Sequence, residues 1–244
     1  MKDRVQLCKT GDFSLGQVHE FMGAFGRAGG YPDLLQDVIE DAEKMKQLVA
    51  ILQGKQEMNI SVLLKEWERF YKEEFDIDVD FSDLHVPEYQ KGFDRLIVVA
   101  QGMKPQMLYD KCAELFTCGK WTEDDLDKIV KSDRIAEAGH YAVWLRGRVE
   151  ADEELKNKSA NMLKEEEILG ITLEERFLYE LKYFKETGAH LDIKNATLCS
   201  GSLYSGGVVP RVDWSDGRLK VFGCHPDSRN DDYIRTRAAV ILET

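Results

Sequence analysis

An α+β fold, with a mostly helical N-terminal part followed by a C-terminal part built on antiparallel hairpins, is predicted by three observations. Apolar residues recur at helical spacing through most of residues 1–168. Around Asp216-Gly217 they alternate instead, with Val212 and Trp214 before the pair and Leu219 and Val221 after it, which is the period of half-buried strands. Between the two regions, residues 148–167 are dense in charge and offer only Leu155, Met162 and Leu163 as core, so they read as an exposed helix or a linker. A boundary there divides the chain into domains 1–168 and 169–244.

The first elements follow from capping and periodicity. Ser14 and Gln17 have the spacing of a capping box before Leu15, Val18, Met22 and Phe25. Pro32 opens a second helix whose apolar stripe runs to Leu52. The glycines of residues 23–30 lack the Gly-Lys-Ser/Thr ending of a phosphate loop, so this stretch reads as a linker. Residues 60–71 predict a short helix. Residues 75–81 alternate between apolar and acidic, which predicts a strand, and residues 93–100 predict another beside it. The acidic face, Asp76, Asp78 and Asp80, lacks the loop spacing of a calcium site and suits an edge protected by charge. From Met107 to Ile168 the pattern is read as helical, with a turn at Cys118-Gly119 and new starts near Thr122 and Ser132. Thr172 to Glu175 forms a second capping box, opening a helix with Leu173, Phe177, Leu178, Leu181 and Phe184, closed by Gly188. A short strand at residues 197–199 leads into the tail.

In the tail, Asp-Gly is the favoured pair for a two-residue type I′ turn. It sets Ser215 opposite Arg218, Trp214 opposite Leu219, Asp213 opposite Lys220, Val212 opposite Val221 and Arg211 opposite Phe222. Val212, Trp214, Leu219 and Val221 then form a core face, against which the Phe177 helix should pack. Truncating a core Trp214 to Ala is expected to cost about 3–5 kcal/mol. Arg211, Asp213, Lys220 and Phe222 form the other face, either a ligand surface or a wet one, with Asp213 and Lys220 able to pair across the strands. Loops rich in small residues bring Tyr204, His225 and Tyr233 toward its rim. The candidate binding residues are therefore Tyr204, Arg211, Asp213, Phe222, His225 and Tyr233.

Composition narrows the function classes. A net charge of −12 opposes general nucleic-acid binding, which needs a basic surface. No apolar run approaches the length of a membrane span, and the first residues lack the apolar core of a signal peptide, so a cytoplasmic location is expected. Cys8, Cys112, Cys118, Cys199 and Cys224 include no CxxC pair, and the five histidines show no metal-ligand spacing. No metal or cofactor is expected. A thiol–imidazole pair between Cys199 or Cys224 and His190 or His225 is one way to build an enzyme, and a site between the two parts is another. A structural scaffold is the third reading beside ligand binding.

From Gly170 onward the order is a helix opening ITLEERFLYELKYF, the turn TGAHLD, the strand TLCSGS, the hairpin VPRVDWSDGRLKVF and a closing RTRAAV. This order resembles bacterial proteins, frequent in small-genome candidate phyla, whose C-terminal part is C-type-lectin-like and is of the kind rewritten by diversity-generating retroelements. The resemblance implies a lectin-like domain that displays a variable surface, with a protein as ligand. Mutating the adenines of a templated Asn codon yields residue types found at Leu203, Tyr204, Ser205, Val208, Arg211, Asp213, Ser215, Phe222, Cys224, His225, Asp227, Ser228 and Tyr233, whereas Lys220 departs from that set. The Glu-Pro-Asn and Trp-Asn-Asp motifs of calcium-dependent sugar lectins are missing. Arg237-Ala238-Ala239 stands where the formylglycine-enzyme branch has Gly-Phe-Arg.

Overall fold

The computed structural model describes residues 59–228 and 233–242, together with 19, 21–23, 25, 32–42, 44, 45 and 48. Two compact units are present, Met1–Asn59 and Ile60–Thr244. In the first, helix α1 (Pro32–Glu40) starts at the expected proline and carries Asp33 in its first turn, where a negative charge complements the helix dipole. The capping box at Ser14 and most of residues 23–30 lie outside the described residues.

The second unit is α+β. Its helices are α2 (Ile60–Phe75), α3 (Pro105–Leu115), α4 (Leu126–Ile129), α5 (Ala160–Glu165) and α6 (Leu173–Thr187). Its strands are β1 (Arg95–Val99), β2 (Cys118–Lys120), β3 (Val130–Ser132), β4 (Tyr141–Leu145), β5 (Ala196–Leu198), β6 (Ser202–Tyr204), β7 (Val209–Ser215), β8 (Arg218–Cys224) and β9 (Ile234–Arg235). Five of them form a mixed sheet in the order β2-β8-β7-β5-β9, while β1-β4 and β3-β6 are antiparallel pairs. The boundary expected at residue 168 falls inside this unit, because β2 and β3 hydrogen-bond to β8 and β6.

The hairpin has the predicted register at all five pairs. Asp216 and Gly217 both have positive φ, 52° and 71°, as a type I′ turn requires. Helix α6 also starts as its sequence dictates. The Thr172 hydroxyl accepts from the Glu175 amide, and the Glu175 carboxylate accepts from the Thr172 amide at 2.8 Å. Gly188 closes the helix in the left-handed region at φ 69°, where a residue without Cβ is unstrained. Replacing Thr172 by Ala should cost about 1–2 kcal/mol, measurable as a lower urea midpoint with an unchanged slope. Glu175 is held further by a bidentate pair with Arg134, 2.8 Å at each contact. Helix α6 packs on β7, with Phe177 fully buried.

Three sequence expectations are corrected. Residues 76–81 form no strand: α2 extends to Phe75, and the acidic alternation continues as irregular chain that buries Phe81 while Asp76 and Asp78 pair with Lys72 at 3.0 and 2.9 Å. The free edge of β1 is satisfied instead by α2 side chains one turn apart. Trp67 Nε1 donates to the Leu96 carbonyl at 3.2 Å, and the Tyr71 hydroxyl donates to the Val98 carbonyl at 2.7 Å while accepting from the Ala100 amide. Second, the helical reading of residues 107–168 holds for α3, α4 and α5 only, since β2, β3 and β4 interrupt it. Third, residues 148–167 do not dangle. Asp152 is fully buried and accepts from Arg146 at 2.5 Å, while Leu155 and Leu163 join Leu198, Val209, Cys224 and Ile234 in one apolar cluster. Close packing also explains a glycine in the TLCSGS strand region, because a Cβ on Gly201 would sit 2.7 Å from the Gly170 carbonyl.

Candidate functional site

Successive residues of a strand point to opposite faces. On one face of the hairpin Val212, Leu219 and Val221 are fully buried, as expected. Trp214, read as a core residue, is half-buried at the end of β7. Its indole stacks on the His190 ring at 3.3 Å, with the Phe116 ring edge-on at 5.6 Å.

The opposite face is divided. The apolar cluster around Leu155 and Leu163 covers Val209 and Cys224 at one end. Beyond it the face is only partly exposed, with Asp213 buried and Arg211, Lys220 and Phe222 partly accessible. Three of the six candidate residues meet there, since the Arg211 guanidinium lies 5.6 Å from the Phe222 ring centroid and 6.0 Å from that of Tyr233. Phe222 is 36% exposed, and Arg211 and Tyr233 are half-buried. The Arg211 Nε is buried with no hydrogen-bond partner among the described residues. Burial, followed by the neighbouring Asp213 carboxylate, pushes the Tyr233 phenol up from its ordinary value.

Asp213 is only 2% exposed, which corrects its reading as a surface contact. Its carboxylate accepts from the Ser215 hydroxyl at 2.6 Å. Lys220 pairs with Asp216 of the turn rather than with Asp213 across the strands. Tyr204 is a second correction. It lies in β6 opposite Val130, 4% exposed, with its ring 5.5 Å from that of Trp121. Strands β3 and β6 have three residues each, too few to show a period of two in the sequence. His225 is exposed, as expected, just beyond β8. Its loop is pinned by α5, whose Asn161 donates from its amide to the Pro226 carbonyl at 3.2 Å and from Nδ2 to Asp227 at 2.5 Å.

The version of the thiol–imidazole pair built on Cys199 and His190 is not supported. Cys199 is buried, and burial pushes its thiol far above the ordinary range; a nucleophilic cysteine needs the opposite shift. His190 is engaged by Glu180 at 2.8 Å. Among the described residues no group of His, Cys, Asp or Glu is arranged to hold a metal ion, and no helix is long and apolar enough to cross a membrane.

Sequence reasoning missed a cavity of about 340 Å³ lined by the start of α3, by β3 and by Glu174 of α6. Glu174 is 5% exposed, and burial pushes its carboxyl up while the Ser132 hydroxyl, donating to Oε2 at 2.7 Å, pulls it down. The signal available was its place in the TLEE box, but that position reads as an ordinary first-turn acid. No protein-family model matches the chain, and neither the curated proteins nor the solved structures gave a match.

Proposed function

We propose that this chain is a ligand-binding protein whose C-terminal part is C-type-lectin-like and presents the patch of Arg211, Phe222 and Tyr233 to a protein ligand. The carrying observation is the half-buried Arg211 guanidinium, positioned against two rings on a partly exposed part of the sheet. A carboxylate on a ligand would accept from such a guanidinium with charge assistance. Arg and Tyr are also the residue types that dominate interface energies. The sheet fixes Arg211 and Phe222 as a cross-strand pair, so these two stand on a rigid element rather than a loop.

Replacing Arg211 by Ala should weaken capture of the ligand by about thirtyfold or more, the effect of losing an interface residue worth about 2 kcal/mol. The measurement is a pull-down followed by titration of the captured partner against wild-type protein and the variant. With Arg211, Phe222 and Tyr233 all changed to Ala, unchanged capture removes this patch as the binding surface, and loss of the folded circular-dichroism signal makes it a structural face instead. Diversification of the tail is a separate claim. It is supported by a reverse transcriptase gene beside a near-copy of the segment encoding residues 198–240 that differs only at template adenines, and overturned by an invariant tail in many close relatives.

A further inference from the structure

The turn between β1 and α3 is docked on the loop before β4 by three hydrogen bonds. The Gly102 amide donates to the Ala136 carbonyl at 2.9 Å, and the Gln101 side-chain amide donates to the Glu137 carbonyl at 3.0 Å. The third bond is different in kind: the Gln101 backbone amide donates to Nδ1 of His140 at 2.8 Å. An imidazole nitrogen accepts only while it carries no proton, so this contact defines a neutral His140 ring protonated at Nε2. An imidazolium carries a proton on both nitrogens and would set two donors against each other here.

The groups around the ring decide which side yields. Phe81, fully buried, meets the His140 ring edge-on at 5.0 Å. Behind it stand two titratable residues of α2. Glu68 accepts from the Phe81 amide at 2.9 Å, and Tyr71, whose phenol burial pushes up, bonds the Val98 carbonyl and the Ala100 amide. Glu137 of the same loop as His140 is exposed. His190 and His225 each lie beside a carboxylate, whereas among the described residues no carboxylate reaches ion-pair distance of His140 to receive a second ring proton. The imidazole side of the contact is therefore backed by packed residues. On the other side Gln101 and Gly102 are exposed, so a freed Gln101 amide turns to water. Gly102 and Met103 of the turn and Ala136 and Glu137 of the loop line the same cavity, so parting the two alters it.

We propose that His140 is a pH-sensitive latch, closed on the Gln101 amide while its ring is neutral and released when Nδ1 takes up a proton, so that the turn at residues 101–103 parts from the loop before β4 in mild acid. The test uses full-length, isotope-labelled protein followed by NMR from about pH 8 to about pH 5, the span over which imidazole side chains change charge. At the upper end the His140 ring should carry its proton on Nε2. On acidification the protection factor of the Gln101 amide should fall about tenfold or more, the change that goes with about 1.4 kcal/mol, at the midpoint of the His140 ring titration. The Trp144 amide, bonded to the Val240 carbonyl, should keep its protection. Asparagine has Oδ1 where histidine has Nδ1, so His140→Asn retains the acceptor without the titration, and Gln101 should then stay protected throughout. The proposal is overturned if the proton sits on Nδ1 at about pH 8, if the ring stays neutral down to about pH 5, or if Gln101 protection holds while the ring titrates. It is overturned equally if Trp144 loses protection in step with Gln101, or if His140→Asn shows the same acid loss; should that variant not fold, the wild-type comparison of Gln101, Trp144 and the His140 ring still decides.

Discussion

Replacing Asp192 by Asn lowers the unfolding free energy of the second unit by about 3–5 kcal/mol, the penalty for removing one partner of a buried ion pair. Asp192 is shared between two arginines. Its Oδ2 accepts from Arg176 Nε at 2.9 Å and from the Thr197 hydroxyl at 2.5 Å, and its Oδ1 accepts from Arg237 Nη2 at 2.6 Å. All three charged side chains are fully buried. Arg237 is further fixed by the carbonyls of Arg148 and Val149, each at 2.8 Å, so it cannot swing to water when its counter-charge is lost. Asn is the informative substitution because Asp192 has φ 54°, a conformation that Asn tolerates and Ala does not. The amide turns donors toward a guanidinium that is itself only a donor. Urea unfolding gives the size of the loss, and a cycle with Arg237→Met gives its cause. The double variant should cost at least about 1 kcal/mol less than the sum of the singles; additivity within about 0.5 kcal/mol, the behaviour of independent sites, would show that the two charges are not coupled.

This network shows why the sequence revealed some of the fold and little of its polar core. The hairpin register was legible because an Asp-Gly turn and a period of two constrain each other, and one slipped residue would have turned Val212 and Val221 outward. The start of α6 was legible because a capping box is local, complete within Thr172 to Glu175. Arg237 was visible only as a departure from a family pattern, since its partners Asp192 and Thr197 lie about 40 residues upstream. A similar distance hid Glu174, whose donor Ser132 lies in one strand of three residues and is itself bonded to Ser202 in another. Strands that short complete no period. Residues 148–167 misled for a different reason: their charge is real, but Arg146 and Arg148 neutralise Asp152 and Glu154, and spaced leucines suffice to cover half of the hairpin face. Of the six candidate residues, Arg211, Phe222 and Tyr233 meet as the pleat required. Tyr204 is buried in a strand pair that periodicity did not reveal, and Asp213 is buried beside Ser215 and Tyr233.

Trp144 carries the other large expected effect, and it tests the strand that replaced a predicted helix. The run YAVWL in β4 is continuously apolar, so periodicity cannot separate a buried strand from a buried helix. In the structure β4 pairs with β1, setting Trp144 opposite Leu96, and the Trp144 backbone exchanges two hydrogen bonds with Val240 near the end of the chain, at 3.0 and 2.9 Å. The indole is fully buried. Its Nε1 donates to the Pro87 carbonyl at 2.8 Å, and the Tyr89 ring meets it edge-on at 6.2 Å. Trp144→Ala should cost about 3–5 kcal/mol, as for other large buried aromatics. Trp144→Phe retains most of the packing but leaves the Pro87 carbonyl without its donor, for about 1–3 kcal/mol. Urea midpoints rank the two variants, and amide exchange at Val240 reports whether the bridge to β4 opens with them. A loss below about 1 kcal/mol for Trp144→Ala, with Val240 protection unchanged, is incompatible with a core indole on β4 and would return residues 141–145 to the surface of a helix.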